Sequence, residues 1–325
     1  MSILSLTGFG GQSTGYDNVT MITNNLIWGS GTVPNAKTSW AVRASASAGC
    51  AGWIPWDNAN TASEFWIHMH YQSTNNNGSN DKMRFGWANG TGSILGYITQ
   101  KDNTNEYQIV VNGTLVATST AAASIGTWHS YLVHVVMNAT TGTVNLYMDG
   151  DISTPAVTFT GNTDPTAATT ASGFYFGIAR SLDYCANFVA MDPTDATGIT
   201  DENRLLNIGL KALYPDADGN YTAWTPDSGS TGHTQVNEAP AVDSDYVEAT
   251  AVNQRSTFSM DAVAEPIALA TKFAGRILRS GTDAGANLKI TRRLSSTDYD
   301  ETSEAAPGSG YIFRTWDQKA GGGGV

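Results

Sequence analysis

The chain has 325 residues and a mass of 34.4 kDa, and its 17 Lys and Arg against 29 Asp and Glu give a net charge of −12. A nucleic-acid-binding surface needs clustered positive charge, so this balance argues against that class of protein. Only 14% of the residues are charged, against about 25% in an average soluble domain. The polar surface must therefore come from Thr, Ser, Asn and Gly, which favour sheets and turns.

Short strands separated by turn signals are predicted over the first two thirds of the chain. Residues 64–72 show the alternation of a strand with one buried face. One face carries Phe65, Ile67, Met69 and Tyr71, and the other carries Glu64, Trp66, His68 and His70. Further strands are predicted over 82–88, 93–100, 106–111, 114–118, 128–138, 143–148 and 173–178. Turn dipeptides such as Asn112-Gly113 and Asp149-Gly150 separate them. The region 82–159 is thus predicted to form a single β-meander.

A domain boundary is predicted near residue 215. Residues 203–213 fit a single helical turn or a strand equally well. The stretch 215–219, Pro-Asp-Ala-Asp-Gly, reads as a linker turn, and 225–239 reads as a loop. Beyond it, strands are predicted over 246–260, 267–277, 286–293 and 310–316, followed by a glycine-rich end at 321–325.

Two stretches carry a family resemblance. The strand led by Trp128-His129, followed by "VNLYMDG" and preceded by "YQIVVNGTLVATST", resembles the laminin-G-like or concanavalin A-like jelly roll. The resemblance covers residues 1–215. It implies an all-β fold, with a jelly-roll sandwich at 1–215 followed by a smaller β-rich domain at 216–325.

The whole layout, in which this domain is followed by "LYPDADGNYTAWTPDSG", resembles structural proteins of tailed-bacteriophage virions. The resemblance implies a non-enzymatic decoration, fibre-associated or tail-associated protein located in the virion. Its expected partners are copies of itself, other virion proteins and host surface glycan, with neither nucleic acid nor membrane insertion. Without a signal-peptide pattern at the N-terminus, synthesis in the host cytoplasm is expected. Relatives often carry a pair of Asp residues where this chain reads Cys185-Ala186-Asn187-Phe188, which argues against an inherited metal or ligand role.

Hydrolase activity is not expected. Glycosidases need two carboxylates close together, and no Glu-x-Asp-x-x-Glu pattern places them on one strand. The chain also lacks a Gly-x-Ser-x-Gly elbow and a Walker A loop. The alternative function is a carbohydrate-binding module of a surface or secreted polysaccharide-acting system. Trp53 and Trp56, with Pro55 between them, are the candidate sugar-stacking platform, and core or inter-subunit packing is the favoured alternative for both.

No cofactor is expected, and Ca²⁺ is the alternative. His68 and His70 share a strand face and form a feasible metal half-site. Projection from a solvent-exposed face, or packing beside Trp66, is the favoured alternative for both. His129 and His134 have opposite parity and are not expected to face one pocket.

Three acidic residues, Asp149, Asp151 and Asp192, fall at strand ends where a Ca²⁺ rim site is conceivable. A simple type I′ turn also accounts for Asp149-Gly150. Cys50 and Cys185 are expected to be free thiols, with one disulfide as the alternative.

Overall fold

The computed structural model divides into two compact units, Met1–Ala212 and Leu213–Val325. The structure describes residues 2–7, 20–23, 26–30, 40–44, 50–56, 61–73, 83–89, 93–101, 104–164, 166–168, 170–178, 183–192, 213–229, 231–237, 244–260, 270–277, 286–294, 296–300, 304–305 and 312–319. The division falls three residues before the boundary predicted from composition.

Within the described part of the first unit there are fifteen strands. They are β1 Ser2–Thr7, β2 Thr20–Thr23, β3 Leu26–Ser30, β4 Trp40–Ala44, β5 Cys50–Pro55, β6 Glu64–Gln72, β7 Met83–Asn89, β8 Ser93–Gln100, β9 Glu106–Val111, β10 Thr114–Ala122, β11 Trp128–Val136, β12 Gly142–Met148, β13 Val157–Gly161, β14 Gly173–Ile178 and β15 Tyr184–Asp192.

These strands form two antiparallel sheets. Sheet I has the order β13-β12-β11-β6-β15-β4-β3, with β1 also paired to β15. Sheet II has the order β10-β9-β8-β7-β14-β5-β2. Aromatic side chains of the two sheets meet between them: ring centroids are 6.3 Å apart for Phe65 and Trp87 and 4.7 Å apart for Phe174 and Phe188. The result is a two-sheet sandwich with an aromatic core, and the predicted all-β sandwich class is confirmed.

The strand predicted for 64–72 is confirmed, but both of its faces are buried. Strand β6 spans those nine residues, and Phe65, Ile67, Met69 and Tyr71 all lie in the core. The single meander predicted over 82–159 is wrong. Strands β7 to β10 are consecutive neighbours in sheet II, but β11 to β13 belong to sheet I. The chain crosses between the sheets after β10, because the apolar faces of both hairpin series must cover each other.

The second unit contains ten strands and one short 3-10 helix among its described residues. The strands are β16 Pro215–Thr222, β17 Thr225–Pro226, β18 Val247–Glu248, β19 Ser256–Met260, β20 Ala270–Ile277, β21 Asn287–Leu288, β22 Thr291–Leu294, β23 Thr297–Asp300, β24 Glu304–Ala305 and β25 Ile312–Lys319, and the helix is Gly232–Gln235. The ten strands form five two-stranded sheets: β16 with β19, β17 with β18, β20 with β25, β21 with β24 and β22 with β23.

Two predictions for the second unit are wrong. The predicted linker turn at 215–219 lies inside β16, which pairs with β19. The predicted strand at 246–260 is interrupted, because the Gln254 side-chain oxygen accepts hydrogen bonds from the amides of Thr250 and Ala251 and closes a turn there. Residues 203–212 of the predicted segment 203–213, and the glycine-rich end, lie outside the described residues.

Among the described residues, no helix has the length and apolar character needed to cross a membrane. Cys185 is buried and forms no disulfide among the described residues. The side chain of Cys50 lies outside the described part of the chain.

Candidate functional site on the outer face of sheet I

The outer face of sheet I, opposite the core, carries the chemistry-bearing residues of this unit. Register places them in rows across β11, β6 and β15. His134, Trp66 and Met191 form one row, and Leu132, His68 and Val189 form the next. The third row contains Ser130, His70 and Ala186, and the fourth contains Trp128, Gln72 and Tyr184. The strand parity noticed in the sequence thus assembles histidine, tryptophan and amide groups from three strands.

A β-bulge in β15 brings a third polar residue to the two histidines. The register of β15 against β6 shifts between Ala186 and Val189, and Asn187 adopts a φ of 56°. His68 Nδ1 lies 3.0 Å from the Asn187 carbonyl oxygen, and the Asn187 amide nitrogen lies 3.2 Å from His70 Nδ1. Asn187 therefore contacts both imidazoles, which have ring centroids 4.8 Å apart.

This cluster of His68, His70 and Asn187 is buried and holds unpaired acceptors. Their side chains are 0%, 2% and 0% exposed. His68 Nε2 and Asn187 Oδ1 have no hydrogen-bond partner. Burial, reinforced by His70, lowers the pKa of His68 to about 3, and burial lowers the pKa of His70 to about 4 against an opposing effect of Asp149. Both rings are consequently neutral at physiological pH.

The fourth row ends in an aromatic pair. Trp128 and Tyr184 flank Gln72, and their ring centroids are 6.3 Å apart with planes tilted by 46°. The backbones of β11 and β15 are separated by two strand spacings, or about 9.6 Å. The ring centroids are closer than that, so the rings lean toward each other over Gln72. All three side chains are partly exposed, unlike the buried aromatics of the core. The Gln72 amide nitrogen donates to the Gly126 carbonyl oxygen at 2.8 Å, which fixes the amide.

The opposite end of the face holds a stacked pair. The rings of Trp66 and His134 are parallel within 5° and 3.8 Å apart, and Tyr147 stacks on Trp66 at 6.2 Å. His134 Nε2 lies 3.0 Å from Glu64 Oε1. Trp66 is only 7% exposed, so this end is closed by its own side chains.

A Ser-His-Asp arrangement lies at the rim beside the aromatic pair. His129 Nδ1 is 2.7 Å from Asp149 Oδ2, and His129 Nε2 is 3.0 Å from Ser124 Oγ. A general base would need a bare Nε2 lone pair. Nε2 is also 3.1 Å from the Ser124 carbonyl oxygen, which can only accept a hydrogen bond. The hydrogen bond to Asp149 raises the pKa of His129 despite partial burial. In its protonated form the ring donates to both Asp149 and Ser124 and so joins two loops.

The opposite parity predicted for His129 and His134 is confirmed. His129 contacts Asp149 at the rim, whereas His134 stacks on Trp66 on the outer face.

The exposed platform predicted at Trp53 and Trp56 is absent. Trp56 is 1% exposed and packs against Phe65 with ring centroids 5.1 Å apart. Trp53 is 4% exposed and lies against Gly173. Neither indole offers a face to a sugar, because both complete the packing around strand β5. Burial of these two rings could not be read from the local sequence Trp-Ile-Pro-Trp.

The acidic residues behave as turn formers. Asp149 and Gly150 have φ values of 53° and 89°, as a type I′ turn requires. Asp151 accepts hydrogen bonds from the amide and hydroxyl of Ser153. In the described part of the chain, no group of three or more His, Cys, Asp and Glu side chains could hold a metal ion.

The carboxylates of the outer face and its rim are far apart. Glu64 lies opposite Val136 of β11, and Asp149 Oδ1 accepts a hydrogen bond from the Ser130 amide on the same strand. Ser130 and Val136 are six residues apart along β11. At about 3.3 Å per residue this separation is about 20 Å. Glycosidase carboxylates lie about 5–10 Å apart, so these two do not form such a pair.

Asn187 and the aromatic pair were missed by the sequence analysis. Asn187 is separated from His70 by 117 residues, and Trp128 and Tyr184 meet only through β6. The signal that could have found Trp128 is its parity with Ser130 and His134, which places it on the face opposite Tyr131.

No protein-family model matches the chain, and no curated protein sequence matches it. Solved structures with a similar arrangement of strands include lectin II from Ulex europaeus, at 11% identity over 54% of this chain and 96% of that chain, with a TM-score of 0.37. The exoplasmic/lumenal domain of VIP36, bound to Ca²⁺ and Man3GlcNAc, is 15% identical over 60% of this chain and 92% of that chain, with a TM-score of 0.40.

A mutant Trypanosoma rangeli sialidase displaying trans-sialidase activity is 15% identical over 57% of this chain but only 30% of its own, with a TM-score of 0.36. These likenesses concern the fold alone.

Proposed function

We propose that the first unit is a non-enzymatic carbohydrate-binding domain and that Trp128 and Tyr184, with Gln72 between them, contact the sugar. The observation that carries this proposal is the partly exposed aromatic pair leaning over a fixed amide on the outer face of sheet I. Aromatic faces bind the apolar C–H faces of pyranose rings, and an amide forms hydrogen bonds with hydroxyl groups.

The charges of the site favour binding over hydrolysis. Glu64 and Asp149 are too far apart for glycoside hydrolysis. In its protonated form His129 donates to Asp149 and to the Ser124 carbonyl oxygen and has no lone pair with which to act as a base. A domain that holds a sugar without activating water or a nucleophile is the function that this chemistry supports.

A glycan array followed by calorimetric titration of the best ligand tests the proposal. Trp128→Ala is expected to weaken binding at least tenfold, because stacking and its buried area are both lost. Tyr147→Ala, at the closed end of the same face, is the matched control and should change affinity by less than twofold. Absence of binding to any glycan, or equal losses in the two variants, would contradict the proposal.

The biological setting we propose is a tailed-bacteriophage particle, where the chain would be a decoration, fibre-associated or tail-associated protein that contacts host glycan. The sequence layout, a lectin-like sandwich followed by a separate β-rich unit, supports this setting. Quantitative mass spectrometry of purified particles should find the chain at a fixed copy number. Its absence from particles would favour the alternative, a binding module of a polysaccharide-acting system.

A further inference from the structure

The buried histidine pair has a feature that packing alone does not explain. A carbonyl oxygen only accepts hydrogen bonds, so the contact of His68 Nδ1 with the Asn187 carbonyl places the ring proton on Nδ1. The Nε2 lone pair of His68 is then bare, and it is buried without a partner. Leaving a buried acceptor unpaired is unfavourable. Metal-ligating histidines are typically held in this way, with the other ring nitrogen donating to a backbone carbonyl.

We infer that His68 and His70 bind a divalent transition-metal cation of the Zn²⁺ class through their Nε2 atoms, and that Asn187 positions both rings. Imidazole nitrogen suits Zn²⁺, Cu²⁺ and Ni²⁺ better than Ca²⁺. The site differs from the Ca²⁺ rim considered for Asp149, and it stands independently of the proposed sugar site.

The separation of the two rings fits one shared ion. A Zn–N bond of about 2.0–2.1 Å puts the ion about 3.2 Å from each ring centre, so two rings at a tetrahedral angle have centroids about 5 Å apart. The observed separation is 4.8 Å.

Asn187 can hold both rings in the ligating tautomer. A half-turn of its amide places Oδ1 at the position now held by Nδ2, 3.2 Å from His70 Nδ1. The His70 proton then resides on Nδ1 and is donated to Asn187 Oδ1, which leaves His70 Nε2 bare. Both Nδ1–H groups would be bound by one residue, through its carbonyl and its amide oxygen.

Two imidazoles supply fewer protein ligands than the three or four of typical zinc sites, so we expect micromolar rather than nanomolar affinity.

The test is equilibrium dialysis of untagged, metal-stripped full chain against ZnCl₂, with zinc counted by mass spectrometry. One Zn²⁺ per chain is expected, and excess Ca²⁺ should not displace it. His68→Gln and His70→Gln should each weaken binding at least tenfold. His134→Gln is the matched control on the same face and should keep affinity within twofold. Non-saturable binding, or undiminished binding by His68→Gln, would overturn the inference.

A second measurement keeps the test decisive if a variant fails to fold. In the wild-type chain, the ¹⁵N resonances of the His68 and His70 Nε2 atoms should shift when one equivalent of Zn²⁺ is added. The His134 resonances should stay in place. Unchanged Nε2 resonances of His68 and His70 would overturn the site without affecting the proposal for Trp128.

Discussion

The Nδ1 atom of His129 lies 2.7 Å from Oδ2 of Asp149, so the start of β11 is joined to the turn that follows β12. The same carboxylate accepts a hydrogen bond from the Ser130 amide through Oδ1. His129 Nε2 reaches Ser124 in the loop before β11. One imidazole thus connects the rim next to Trp128, and only its protonated form can donate to Asp149 and to the Ser124 carbonyl oxygen at the same time.

This contact predicts that rim stability falls as pH rises. The hydrogen bond to Asp149 raises the pKa of His129 above its ordinary value of 6.5. The contribution is therefore fully present below about pH 6.5 and is lost as pH rises through the folded-state pKa. Urea unfolding between about pH 6 and 9 should show wild-type stability declining relative to His129→Asn. The effect should stay near or below about 1 kcal/mol for a partly exposed pair. A constant difference across this range would contradict the assignment.

The close approach of Trp53 to Gly173 predicts an overpacking defect. A Cβ at Gly173 would lie 2.0 Å from the Trp53 ring. Gly173→Ala should cost about 1–3 kcal/mol in the free energy of unfolding, measured by urea titration. Trp53→Leu removes the obstructing ring, so the double variant should lose less than the sum of the single variants. Strictly additive losses would show that the two residues do not contact each other.

A buried hydrogen bond to a carboxylate predicts a second stability difference. Tyr71 donates to Asp183 Oδ2 at 2.6 Å, and both side chains are buried. Tyr71→Phe should cost about 1.5–3 kcal/mol, the range for hydrogen bonds to charged groups.

Tyr107→Phe is the control for that variant. It removes a neutral hydroxyl pair with Tyr131 at 3.0 Å and should cost about 0.5–1.5 kcal/mol. Both variants are measured by thermal and urea unfolding. Equal losses in the free energy of unfolding would show that the hydrogen bond to the carboxylate stabilises the fold no more than the neutral one does.

Local pattern predicted individual strands well and their assembly poorly. The bounds of β6, β8, β9 and β14 agree with prediction because period-two alternation and flanking turn residues are local properties. The crossing from β10 to β11 was missed, because sheet membership depends on which apolar faces meet in space. The wrong prediction of an exposed platform at Trp56 has the same cause. The local sequence of an aromatic residue near a proline fits an exposed platform and a buried core equally well.

The sequence predicted only the part of the site that lies on a single strand. His68 and His70 share a face by parity, and that much was visible in the sequence. The bulge that places Asn187 between them comes from β15, where the register shift has no clear local signal. The predicted linker turn at 215–219 in the second unit was wrong for the same reason. Asp218 looked like a turn residue, yet its carboxylate accepts hydrogen bonds from the amides of Gly232 and His233.

The bulge predicts how substitutions at Asn187 should rank. Asn187 has a φ of 56°, which glycine adopts freely and alanine does not. Asn187→Gly and Asn187→Ala both lose the amide contact to His70 and keep the carbonyl contact to His68. Asn187→Ala should therefore be the less stable variant by about 1–2 kcal/mol, the cost of a left-handed conformation.

Equilibrium unfolding of both variants measures that difference directly. Comparable stabilities would mean that the backbone of β15 can relax out of the bulge without loss. The ¹H–¹⁵N spectrum supplies the second readout, because a preserved bulge in Asn187→Gly keeps the Nδ1–H proton of His68 protected from exchange. Both variants lack the side-chain amide. Loss of that protection in Asn187→Ala alone would therefore show that the backbone conformation of the bulge fixes the tautomer of His68.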